Sequence, residues 1–115
     1  MAAKDTSGEP TISTHVLDTE LGRPAANVPV RLYRMVADGA LVPGGEGTTD
    51  PDGRIRRLLP GPLTPGIFRI TFELHEYRRG FFREVTLEFH VEDASRSHHV
   101  PLLVAAHGVM SYRGS

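Results

Sequence analysis

The stretches Phe68-Arg69-Ile70-Thr71-Phe72-Glu73-Leu74 and Val85-Thr86-Leu87-Glu88-Phe89-His90-Val91-Glu92 decide the fold. In each, apolar residues alternate with polar ones. A period of two is that of a β-strand with one face in a core and the other in water. The pattern predicts strands over 68–74 and 85–92. Between them, His75 to Gly80 has room for a single helical turn.

Working outward, twelve Gly and nine Pro cut the rest of the chain into short segments. Strands of about five to nine residues between such breakers are the rhythm of an all-β sandwich or barrel. Thr11 to Leu17 is predicted as the first strand. Val28 to Val36 is the second, with Val28, Val30 and Leu32 on one face. Asp18 to Asn27 reads as a loop, and Asp38 to Glu46 as a Gly-rich connection with a short strand at Leu41-Val42. Asp50-Pro51-Asp52-Gly53 is a turn, since Pro presets φ and Gly accepts positive φ. Arg54 to Arg56 reads as a short edge strand. Ser97 to Val104 and Val109 to Arg113 are the last two strands. No segment keeps a 3.6-residue period, and no repeat is present. The expected fold class is all-β: a two-sheet sandwich of seven or eight strands with at most one short helix. Residues 1–10 are polar and expected to be disordered; residues 11–115 form the domain.

Composition excludes several classes of function. Thirteen Lys and Arg against fourteen Asp and Glu leave a formal charge of −1, so bulk positive charge for nucleic acid is missing. With no cysteine, disulfides, thiol nucleophiles and Cys-ligated metals are impossible. No apolar run approaches the ~18 residues of a membrane span. The opening residues lack the apolar core of a secretory signal. The expected address is the cytoplasm.

Strand parity sorts the histidines. Ile12 and Val16 share one face of the first strand, so His15 points the other way, beside Ser13 and Leu17. Val100, Leu102 and Val104 share a face of the later strand, so His99 points the other way, beside Pro101 and Leu103. His15 and His99 therefore both leave the core. Leu17 and Leu103 leave with them, and apolar residues on an outer face suggest a cover, most simply a second subunit. His90 lies among Glu84, Thr86, Glu88 and Glu92 on a wet face. His75 and His107 are loop-like. His98 and His99 are adjacent and point to opposite faces, which makes a shared metal improbable. An isolated strand His is more often solvated or hydrogen-bonded than catalytic, and Arg54, read alone, is a surface charge.

Four motifs bear a family likeness. Ser13-Thr14-His15-Val16-Leu17-Asp18, followed by Gly22-Arg23-Pro24-Ala25 and Val28-Pro29-Val30, resembles the opening of the transthyretin-like proteins. Thr49-Asp50-Pro51-Asp52-Gly53-Arg54 resembles the second motif of their enzyme branch, the 5-hydroxyisourate hydrolases. His99-Val100-Pro101-Leu102-Leu103 resembles the third, and Tyr112-Arg113-Gly114-Ser115 the terminal tetrapeptide. The resemblance spans residues 11–115. It implies a transthyretin-like sandwich assembled as a homotetramer, a dimer of dimers, with sites in the cleft between dimers. It implies His15, Arg54, His99 and Ser115 as catalytic residues, with Tyr112 and Arg113 also at the substrate or anchoring the tail. The implied reaction opens 5-hydroxyisourate to 2-oxo-4-hydroxy-4-carboxy-5-ureidoimidazoline by His-activated water, with no metal and no organic cofactor. Histidine near its ordinary pKa suits a base, and arginine offers planar donors to a developing oxyanion. The sequence departs from the family at His98, at Ala105-Ala106-His107-Gly108-Val109, and in a short stretch from Phe72 to Phe82. Those departures bear on the pocket rim and subunit contacts. Two rivals stand beside this reading: a non-catalytic transthyretin-like carrier of small ligands, which needs no such polar set, and a monomeric structural sandwich, which needs no outer leucines.

Overall fold

The structure is a computed structural model that describes residues 8–115. Of the segment 1–10 expected to be disordered, residues 1–7 lie outside the described residues. The strands are β1 (Ile12–Asp18), β2 (Arg23–Pro24), β3 (Pro29–Met35), β4 (Leu41–Thr48), β5 (Arg54–Ile55), β6 (Gly66–Phe72), β7 (Val85–Val91), β8 (His98–His99), β9 (Leu102–Val104) and β10 (Val109–Ser111). One sheet runs β10-β9-β1-β2, with β5 and β8 also on β1; the other runs β4-β3-β6-β7. No described helix is long and apolar enough to cross a membrane.

The expected two-sheet sandwich forms, but from ten strand segments rather than seven or eight. The predicted strand over Ser97–Val104 divides into β8 and β9. Pro101 has no N–H to give a ladder, and the Thr14 hydroxyl takes the Val100 carbonyl at 2.6 Å. Pro101 is buried, against the outward direction its parity gave. β2 is a two-residue return of the 18–27 loop onto β1. The Gly-rich connection is itself strand β4, paired along β3. Its glycines serve close approach: a Cβ on Gly45 would stand 2.0 Å from the Leu58 carbonyl oxygen. Their absence of side chains lets the 54–60 segment lie on the sheet.

The two alternating stretches pair with each other, Phe68 opposite Phe89 and Ile70 opposite Leu87. Phe68, Ile70 and Phe72 are fully buried and meet Ile12, Val16 and Leu102 of the other sheet in one core. Each buried Phe contributes about 1.5–3 kcal/mol. Leu74 leaves the predicted strand and starts a short 3-10 turn, Leu74–Glu76, with its side chain buried.

Asp18 closes β1 as a buried carboxylate, 1% exposed. The N–H groups of Glu20 and Leu21 donate to one oxygen. The Tyr77 hydroxyl donates to the other at 2.9 Å, with Arg78 at 3.4 Å. Burial alone would raise its pKa, but the Leu21 N–H, Tyr77, Arg78 and the Glu20 N–H together hold it below the ordinary 3.8. This network ties the segment after β6 to the end of the strand that carries His15.

Candidate active site

β1 is the axis of the site. Its burial alternates strictly: Ile12, Thr14, Val16 and Asp18 are buried, while Ser13, His15 and Leu17 are half-exposed. On one side, antiparallel β5 sets Arg54 beside His15. On the other, parallel β8 sets His99 beside Ser13. Cross-strand partners share a face, so Ser13, His15, Arg54 and His99 stand together on the outer face. Parity gave the direction of each histidine; the registers bring them together.

Arg54 is delivered by the Asp50–Gly53 turn. The Asp50 carboxylate accepts N–H groups from Asp52 and Arg54, both at 2.9 Å. The Arg54 N–H, against a smaller opposing effect of desolvation, lowers the Asp50 pKa, with help from the Asp52 N–H and the Arg56 and Arg54 charges. Gly53 has φ 76, and a Cβ there would lie 2.3 Å from the Val16 carbonyl oxygen. No other residue fits. The same turn holds His15, whose Nε2–H donates to the Asp52 carbonyl at 2.9 Å. Among the described residues the Arg54 guanidinium has no hydrogen bond or ion pair. Its donors remain available.

His99 is gripped on two sides. Nδ1 lies 2.9 Å from Ser13 Oγ. On the opposite edge Gly114 bridges to it, its N–H donating to the His99 carbonyl at 2.8 Å. Burial pushes the His99 pKa below its ordinary 6.5, and the Arg54 and His15 charges push it further, against a smaller upward pull from the Ser13 backbone. A neutral imidazole beside an uncommitted guanidinium can take a proton from water while the cation steadies an oxyanion.

A concavity of about 160 Å³ is lined by Ser13, Thr14, Arg54, Ile55, Arg56 and His99. His15 stands beside Arg54 but outside this wall. Tyr112 and Arg113 line a separate, mainly apolar groove of about 280 Å³ against Leu87, Phe89 and His98, sharing only His99 with the first. Ser115 is exposed, one residue beyond the Gly114–His99 bridge. The single chain thus brings His15, Arg54 and His99 together, holds Ser115 near them through the backbone, and leaves Tyr112 and Arg113 around a corner.

Sequence reasoning missed Ser13 and Arg56 as wall residues. Parity carried the signal in both cases, since Ser13 shares the face of His15, and Arg56 that of Arg54. His98 and His90 sit where parity put them. His98 is buried and bonded through Nδ1 to the Arg96 carbonyl at 3.0 Å. His90 is exposed beside Glu92.

This fold and polar outer face define a known class: the chain belongs to the HIUase/Transthyretin family, whose family model matches residues 12–114. Within the family, it is 40% identical over 119 residues to the 5-hydroxyisourate hydrolase of Deinococcus radiodurans, covering 95% of this chain and 99% of that one. The solved 5-hydroxyisourate hydrolase of Klebsiella pneumoniae superposes with a TM-score of 0.77 at 33% identity, covering 91% of this chain and 99% of that one. Transthyretin from Sparus aurata superposes at 0.82 with 21% identity, covering 90% of this chain and 95% of that one, a likeness of fold.

Proposed function

We propose that this chain is a 5-hydroxyisourate hydrolase. The observation that carries the reading is the meeting of His15, Arg54 and His99 on one outer face, in a chain whose near full-length relatives bear that activity in their names. His99, kept neutral by burial, takes a proton from water. The hydroxide forms a C–O bond at the ring carbonyl, and the negative charge moves to the oxygen facing Arg54. Collapse breaks the C–N bond, and the imidazolium returns its proton to the departing nitrogen. The product is 2-oxo-4-hydroxy-4-carboxy-5-ureidoimidazoline. His15, anchored on Asp52, orients the flat ring, and Ser115 adds a hydroxyl at the rim. No metal or organic cofactor enters these steps.

The reading includes a homotetramer acting in the cytoplasm. The concavity is about 160 Å³, below the ~300–1,000 Å³ of ordinary ligand pockets. A cover from another subunit supplies the missing wall and excludes water. The edges of both sheets are open at β7 and β10, with Met110 and Tyr112 more than half exposed beside them. Strand edges of this kind pair readily with a second copy.

The test follows the ultraviolet decay of freshly generated 5-hydroxyisourate, with light scattering on the same sample. Accelerated decay by a species of four chains is expected. Decay no faster than in buffer would sink the hydrolase reading, and an active monomer would sink the assembly.

A further inference from the structure

The geometry points to Ser13 as a positioning residue that holds the His99 ring in the tautomer with its proton on Nδ1. This deepens the hydrolase reading and rests on it for its catalytic meaning. The ring is covered on two edges: Nδ1 by the Ser13 hydroxyl at 2.9 Å, and Cδ2 by Gly114, where even a single added carbon would come within 2.4 Å. The edge outside these two contacts carries Nε2. The bond made by one imidazole nitrogen decides the protonation of the other. With Nδ1–H donating to Ser13 Oγ, the Nε2 lone pair is free to accept a proton from water.

His15 shows the contrast. Its partner is the Asp52 carbonyl, which can only accept, so neutral His15 carries its proton on Nε2. A hydroxyl can donate or accept. The two histidines are therefore not equivalent: His15 is held by a carbonyl with Nε2 occupied, and His99 by a hydroxyl with Nε2 open. When His99 becomes cationic after taking the water proton, Nδ1–H goes on donating to Ser13, so no hydrogen bond breaks during the step. Ser13 itself is half-buried on β1 and sits at the register position of His99, so the contact is set by the sheet and not by a loop.

The deciding experiment is 15N–1H correlation spectroscopy of the 15N-histidine-labelled protein above pH 7, with Ser13→Ala and Ser13→Thr beside the parent. The parent is expected to show His99 protonated on Nδ1. Ser13→Ala should move His99 toward the Nε2-protonated form and lower kcat about five- to tenfold, the weight of one neutral hydrogen bond, with KM unchanged. Ser13→Thr keeps the hydroxyl and should restore both. A parent His99 protonated on Nε2, or a Ser13→Ala spectrum and kcat like the parent's, overturns the proposal. The spectrum reads the tautomer without substrate. A protein lacking hydrolase activity but showing the Ser13-dependent tautomer would therefore count against the function alone.

Discussion

Replacing Gly114 by alanine should separate catalysis from stability. An alanine Cβ would stand 2.4 Å from Cδ2 of His99, 3.0 Å from Cγ and 3.1 Å from Cβ. Carbon atoms rest at about 3.5–4.0 Å, so ring and backbone must part by about 1 Å. Two relaxations are open. The His99 ring can turn away, breaking its bond to Ser13, or the segment after Ser111 can lift, breaking the N–H bond from Gly114 to the His99 carbonyl. Either route costs one hydrogen bond, about 1 kcal/mol, and the core is untouched. The melting temperature should fall by only about 4 °C. Catalysis should fall much more, because a displacement of about 1 Å at a reacting group costs on the order of 10²-fold. Stopped-flow ultraviolet decay of 5-hydroxyisourate measures the first effect and calorimetry the second. Gly108→Ala is the control, since a Cβ there meets nothing within 4 Å. Full kcat in Gly114→Ala, or equal losses in both variants, would refute the close contact as a determinant of His99 geometry.

Other outcomes follow from the same residues. His15→Asn and His99→Asn should each lower kcat by about 10²-fold, and His90→Asn should leave it unchanged; steady-state kinetics of the three variants checks this. The acid limb of kcat/KM should have its midpoint below pH 6.5, because His99 stays neutral below its ordinary pKa. A His pKa lowered by folding contributes stability that is complete above pH 6.5 and lost as the pH falls toward the lowered value, so the melting temperature should start to fall from pH 6.5, and activity only nearer the lowered value. Tyr77→Phe removes the hydroxyl from buried Asp18 and should cost about 1.5 kcal/mol in a urea titration at pH 7. Asp18 has a pKa lowered by folding, so its contribution is present above pH 3.8 and lost as the pH falls through the lowered value; the parent's extra stability over Tyr77→Phe should shrink in acid.

Much was legible in the sequence because strands are written in a period of two. That period identified β6 and β7, the outward direction of His15 and His99, and the inward direction of His98, whose burial follows. The motif spacing led to the family, and the Asp-Pro-Asp-Gly stretch to the turn before Arg54. Glycine was legible where it serves a turn, as at Gly53, and illegible where it makes room for a distant segment. At Gly45 and Gly114 the glycine makes room for Leu58 and His99, 13 and 15 residues away along the chain, and a local pattern carries no trace of such a neighbour. Likewise Pro101 was turned outward by counting through a strand that breaks at that residue. Only the tertiary structure decided that β1 lies between β5 and β8. That adjacency joins residues 13, 15, 54 and 99 into one site. Side-chain direction along a strand is local and survives in the sequence; which strands become neighbours is settled by the packing of the whole core.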